Sequence, residues 1–108
     1  TNMTIKEIAS DMEVDEIKKQ NGIKVIGFCP GWYTSKVKFL NVLTSLSEKY
    51  DNQVDFYLAD PDRVCKILID LKIGSVPVLL IYKNESLEFQ ATGVQTELFI
   101  SNKIDALI

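Results

Sequence analysis

Apolar positions recur along the chain in two rhythms. Residues 23–29 (IKVIGFC), 54–58 (VDFYL) and 78–82 (VLLIY) are compact, largely apolar runs rich in β-branched and aromatic side chains. Runs of that length and content predict strands covered on both faces. Between them the rhythm changes. Residues 34–50 place Val37, Leu40, Leu43 and Leu46 at a helical period, and Val64, Ile67, Leu68 and Leu71 give a second helix its inner face. That second helix is expected to start at Asp60-Pro61, because Asp caps well and Pro suits the first helical position. Ser10-Asp11-Met12-Glu13 has the form of a capping box and predicts a helix running to about Gln20, with Asn21-Gly22 as its stop. Residues 4–8 read as a short edge strand. After the third buried run, residues 83–86 (KNES) make a turn, residues 87–92 return as an antiparallel strand, and residues 96–108 form a closing helix.

The predicted order is therefore (β)αβαβαββα. Strands alternating with helices imply an α/β fold with a central mixed sheet flanked by helices, its parallel part covered on both faces and its final hairpin antiparallel. No repeat, low-complexity segment or linker interrupts the pattern, so residues 3–108 read as a single domain. Thr1 and Asn2 ahead of Met3 read as a remnant of expression.

Composition narrows the function more than the fold. The chain has 108 residues, 46% hydrophobic and 25% charged, with a formal net charge of −3. That is ordinary for a soluble globular protein. No Lys/Arg stripe points to nucleic acid. No apolar stretch is long enough for a bilayer, and the N-terminus lacks a secretion pattern, so no membrane role and a cytoplasmic location are expected. A monomer is the default expectation, and no cofactor is expected. Histidine is absent, and there are two cysteines, Cys29 and Cys65. A Ser-His-Asp or Cys-His catalytic site is thus excluded within the chain. Two thiols also fall short of the four ligands of a structural zinc site, so no metal is expected.

The chemistry concentrates in residues 28–39, FCPGWYTSKVKF, where an apolar strand runs through a Trp into a helix. With residues 73–84, IGSVPVLLIYKN, this segment resembles the thioredoxin family, and the resemblance covers nearly the whole chain. It implies a thioredoxin-like fold, a cis peptide bond before Pro77 at the head of a central strand, and Gly93 close to the site. Residues 60–63, DPDR, resemble the family's DVDE at its third helix. In that family a Trp stands directly before the first cysteine of W-C-G-P-C-K. In the frame set by Trp32, Tyr33 takes the place of the nucleophilic cysteine and Lys36 that of the resolving one. Gly27 stands where the family usually buries an aspartate that accepts a proton from the dithiol. Thiols and proton acceptor are missing together.

Dithiol exchange needs a thiolate, which a helix N-terminus helps to supply. A phenol at Tyr33, with an ordinary pKa of about 10, offers no such chemistry. Lys36 falls near the positive end of a helix, where a cation is disfavoured, and so suits contact with an acidic partner or plain solvation. Cys29 is the remaining thiol near the loop. It reads either as a displaced single thiol within Cys29-Pro30-Gly31-Trp32 or as a buried apolar residue. Cys65 falls in the expected first turn of the third helix and reads as structural or incidental; a Cys29–Cys65 disulfide stays open. The acidic helix with Asp11, Glu13, Asp15 and Glu16 reads as a solvated face.

Two functions from different classes follow. One is a non-catalytic module that holds a protein or extended peptide. It uses Trp32 and Tyr33 as aromatic anchors, the backbone of Val76 beside Pro77 for a short strand-like pairing, and Gly93. The other is a weak single-thiol disulfide oxidoreductase acting through Cys29. A third reading, by resemblance to glutathione transferases, has the Tyr33 or Ser35 hydroxyl activate the glutathione thiol. Those enzymes carry an additional helical domain, which this sequence is not expected to include.

Overall fold

The computed structural model describes residues 5–108. The expected remnant at Thr1 and Asn2, and Thr4 at the head of the first expected strand, lie outside the described residues. The chain runs β1 (Ile5–Ile8), α1 (Asp11–Lys18), β2 (Ile23–Phe28), α2 (Lys36–Lys49), β3 (Val54–Ala59), α3 (Lys66–Asp70), β4 (Val78–Lys83), β5 (Ser86–Thr92) and α4 (Glu97–Asp105). This is the order read from the sequence.

The five strands form one sheet in the order β1-β3-β2-β4-β5. β1, β3 and β2 are parallel, while β4 runs antiparallel to β2 and β5 antiparallel to β4. The sheet is thus mixed, and its central strands are the apolar runs of the sequence. β2 is buried along all six residues. Its alternate side chains feed two cores. Val25 and Cys29 pack with Phe39, Leu43, Leu46, Ile100 and Ile104 from α2 and α4. Ile26 and Phe28 pack with Val14, Ile17, Val64, Ile67 and Leu68, from α1 and from the segment containing α3. Each such fully buried side chain contributes about 1.5–3 kcal/mol relative to exposure.

Local chemistry sets the element ends. Ser10 caps α1, its Oγ accepting from the Glu13 N–H at 3.3 Å. The Glu13 carboxylate reaches back to the N–H of Ala9, one residue beyond the expected capping-box partner. Asn84 and Glu85, with φ of 50° and 75°, give the β4–β5 hairpin a turn with both central residues left-handed, whose twist matches that of the strands. The Asn84 side chain also accepts from the Gly22 N–H at 2.8 Å and so ties this turn to the entry of β2. Thr96 caps α4, accepting from the Phe99 N–H at 3.1 Å.

Two helices differ from the expected form. α2 begins at Lys36 rather than Thr34, and its inner face is Phe39, Leu43 and Leu46; Val37 is 71% exposed and Leu40 is half-buried. The period is right but its phase is displaced, because Val37 lies in a first turn that the sheet does not cover. In the third, Asp60-Pro61 opens a turn instead of a helix. The Asp60 carboxylate accepts from the Asp62 N–H at 2.9 Å, and its carbonyl accepts from Arg63 and Val64 at 3.0 and 2.8 Å. The helix proper starts at Lys66, whose N–H donates to Asp11 of α1 at 3.1 Å. Its expected inner residues still face the core, Val64 from the turn and Ile67 and Leu68 from the helix.

Candidate functional site

The segment from Cys29 to Lys36 descends from the end of β2 and climbs into α2 by two short turns. The Tyr33 N–H donates to the Pro30 carbonyl and the Lys36 N–H to the Tyr33 carbonyl, both at 3.2 Å. Tyr33 therefore precedes the helix, and Lys36 is its first residue. Ser35 holds the N-cap position without a side-chain cap bond, and no acidic residue stands in the first turn. Lys36 forms no ion pair among the described residues.

Trp32 is 69% exposed and donates its indole N–H to the Asp62 carboxylate at 3.1 Å. That bond leans Trp32 toward the β3–α3 connection. Tyr33 turns the other way. It packs half-buried against the core beneath α2 and α4 and lines a groove of about 350 Å³ with Ser35, Lys38, Val42, Val94 and Gln95. The two aromatics thus do not form one surface facing one way.

Across the sheet, the peptide bond between Val76 and Pro77 is cis. The Pro77 carbonyl accepts from the Gly93 N–H at 2.7 Å, which joins these two expected site residues directly. Gly93 has φ +87°, a left-handed conformation that favours glycine, and open space lies where a Cβ would stand. Val76 is half-buried against the core beneath α1 and α3, and its backbone carries no hydrogen bond among the described residues.

Cys29 is buried, 1% exposed. Its N–H continues the β2–β3 ladder by donating to the Ala59 carbonyl at 3.1 Å. Burial pushes the Cys29 thiol up from its ordinary range; the nearby Lys36 opposes this and Asp60 reinforces it. Cys65 is exposed and occupies the N-cap position of α3, not its first turn. Both thiols are free, so the Cys29–Cys65 disulfide left open by the sequence is not formed.

Gly27 lies on the α2 side of β2, and side chains occupy the space a larger residue would need. A Cβ there would meet Leu43 Cδ1 at 2.8 Å and Phe39 Cε2 at 2.9 Å. Phe39 and Leu43 fill the position where a proton-accepting carboxylate would stand. The sequence reading included Leu43 in the inner face of α2 but missed Phe39, because it set that face by Val37 and Leu40 as well. It also missed Asp62 as the partner of Trp32, although DPDR was singled out, because the pairing joins segments thirty residues apart. The groove residues Lys38, Val42, Val94 and Gln95 carried no local signal.

No protein-family model and no curated protein matches the chain. Solved structures do. One is a chain from work on the thiol-resolving mechanism in yeast mitochondrial 1-Cys peroxiredoxin via glutathione/thioredoxin systems. It superposes with a TM-score of 0.81 at 22% identity, covering 94% of this chain and 95% of that one. Another is thioredoxin (Mala s 13) of Malassezia sympodialis, with a TM-score of 0.83 at 18% identity, covering 96% of this chain and 91% of that one. The chain has a thioredoxin-like fold, as the resemblance in its sequence implied.

Proposed function

We propose that this thioredoxin-like chain is a non-catalytic module that holds an extended peptide or protein segment. The observation that carries this reading is the state of the loop's thiols. The exchange positions hold Tyr33 and Lys36, and the one neighbouring thiol, Cys29, is 1% exposed and held protonated by burial. Exchange requires a thiolate that can reach a disulfide sulfur. At Gly27, where the family resemblance implies a buried proton-accepting aspartate, Phe39 and Leu43 fill the space instead.

Three features support holding a partner. The unpaired backbone of Val76 offers an extended chain a short strand-like pairing. Tyr33 lines a groove open to a side chain of that partner. Trp32 presents a large exposed aromatic surface, fixed by Asp62, of the kind that anchors interfaces.

One observation favours the second reading, a weak single-thiol oxidoreductase: Cys29 lines a cavity of about 180 Å³ together with Lys36, a cation that favours the thiolate. Catalysis of insulin reduction by dithiothreitol separates the two. The expected result is no rate above the uncatalysed background, for the native protein and for Cys29→Ser alike. A native rate that vanishes in Cys29→Ser would transfer the function to the displaced thiol.

A further inference from the structure

The cavity beside Cys29 has a composition that the peptide-holding reading does not use. β1, β3 and β2 run parallel, and open α/β sheets bind ligands in the crevice beyond the carboxyl ends of such strands. Here those ends are Ile8 of β1, Ala59 of β3 and Cys29 just after β2, and all three line the cavity of about 180 Å³. Four charged residues line the same space: Glu7 from β1, Lys36 from the start of α2, and Asp60 and Arg63 from the β3–α3 connection. Arg63 is the sole arginine of the sequence.

These four charges are not spent on one another. The ion pairs among the described residues are Lys24–Asp55 and Lys66–Asp70. Asp60 uses one carboxylate oxygen on the Asp62 N–H. The side chains of Glu7, Lys36 and Arg63 carry no hydrogen bond among the described residues. Lys36 is also placed against the positive end of α2, with no acidic residue in that turn to offset it. An anion in the cavity would relieve Lys36 but be repelled by Glu7 and Asp60. A simple cation meets the reverse problem. A small molecule bearing both charges satisfies both pairs.

We propose that this cavity binds a small zwitterion of the α-amino acid class. Its carboxylate faces Arg63 and Lys36, and its ammonium group faces Glu7 and Asp60. The fork of an arginine guanidinium fits a carboxylate by two parallel hydrogen bonds, which a lysine alone does not offer. The volume is below the roughly 300–1,000 Å³ of pockets for drug-sized ligands, which restricts the side chain to a short one lying against Ile8. The site shares no lining residue with the groove at Tyr33, so it stands or falls apart from peptide holding.

The test is a nuclear magnetic resonance titration of the isotope-labelled protein with L-alanine, with acetate and ethylammonium as the two half-ligands. L-Alanine is expected to give saturable shifts at the Glu7, Asp60 and Arg63 amides, at concentrations where neither half-ligand does. Arg63→Gln and Glu7→Gln each weaken binding roughly tenfold or more, as loss of a charge-assisted hydrogen bond implies. Both residues are exposed, so their spectra otherwise overlay the native one. Lys19→Gln, exposed and outside the cavity, leaves binding unchanged. Acetate binding as tightly as L-alanine, with Glu7→Gln silent, would make this a plain anion site and overturn the zwitterion. Absence of any saturable shift with L-alanine overturns the site.

Discussion

Gly27 shows how much a single missing side chain decides. It sits one residue before the end of a fully buried strand, between Val25 and Cys29 on the face that α2 covers. Contacts of 2.8 and 2.9 Å from an added Cβ to Leu43 and Phe39 are well inside the ~3.5–4.0 Å of ordinary carbon packing. Both neighbours are core residues, and an added Cβ would force one of them to shift. Gly27→Ala is expected to cost about 1–3 kcal/mol, read as a lower urea midpoint. Gly27→Asp is expected to cost more, because a carboxylate adds desolvation to the overpacking. Phe39→Leu placed in the Gly27→Ala background is expected to recover part of the loss, since the two sites share one contact. A Gly27→Ala protein as stable as the native one would show that Phe39 and Leu43 do not in fact close this space. The sequence marked Gly27 only as the lack of an aspartate. What replaces the aspartate depends on which face of α2 turns inward, and that is settled by long-range packing. Likewise Trp32, Tyr33, Pro77 and Gly93 were each legible as residues, but the opposite leanings of Trp32 and Tyr33 were not. Asp62 beside Trp32, and Val94 and Gln95 beside Tyr33, lie far along the chain.

Elements were legible where the physics is local. The three central strands stood out because dense β-branched runs have few other places to go, and Ser10 stood out because capping is a matter of neighbouring residues. Where a helix starts was less legible. α3 is five residues long, and its first N–H is satisfied from α1 by Asp11, which Asp60-Pro61 does not announce. β2 carries a further feature that its apolar pattern hides. Lys24, within that strand, is 5% exposed, and its ammonium group bonds to Asp55, its register partner on β3. The Asp55 side chain is 58% exposed, so the pair spans the boundary between core and water. Breaking such a pair from the exposed side leaves the inner charge without its acceptor. Asp55→Ala is therefore expected to lose about 1–3 kcal/mol. Lys24→Met removes the charge while keeping the length, and is expected to change stability by less than about 1.5 kcal/mol. The double variant should sit near Lys24→Met alone. Urea midpoints of the three variants measure this, and an Asp55→Ala midpoint equal to the native one would mean that water already solvates the Lys24 ammonium.

Across the whole molecule, the absence of histidine shapes how stability responds to pH. Histidine is the side chain whose ordinary pKa falls between pH 5 and 8. The buried groups that the fold perturbs lie higher. Burial raises the Cys29 thiol, opposed by Lys36 and helped by Asp60. Burial also raises Tyr57, with Asp55 adding to it, and Tyr82. Tyr50 is raised first by burial and then by its hydrogen bond to Asp105, with Ser101 and Lys49 working in the other direction. Each is an acid whose neutral form the folded state prefers. The unfolded chain therefore loses these protons at lower pH than the folded one does. Their contribution to stability is fully present below the unfolded values, 9.0 for the thiol and 10.0 for the phenols, and is lost as pH rises through the higher folded values. The expected profile of urea midpoint against pH is flat from about pH 6 to about pH 9 and falls above that. Tyr50 gives the decisive variant, because its hydroxyl joins α2 to α4 through the Ser101 carbonyl at 3.1 Å and Asp105 at 2.5 Å. Tyr50→Phe should lower the neutral plateau by removing those bonds, and should also make the alkaline fall shallower by removing one ionising phenol. A fall centred below pH 8 would contradict this account, since none of the four groups ionises there in either state. An alkaline limb of unchanged slope in Tyr50→Phe would place the loss on Tyr57, Tyr82 and Cys29 instead.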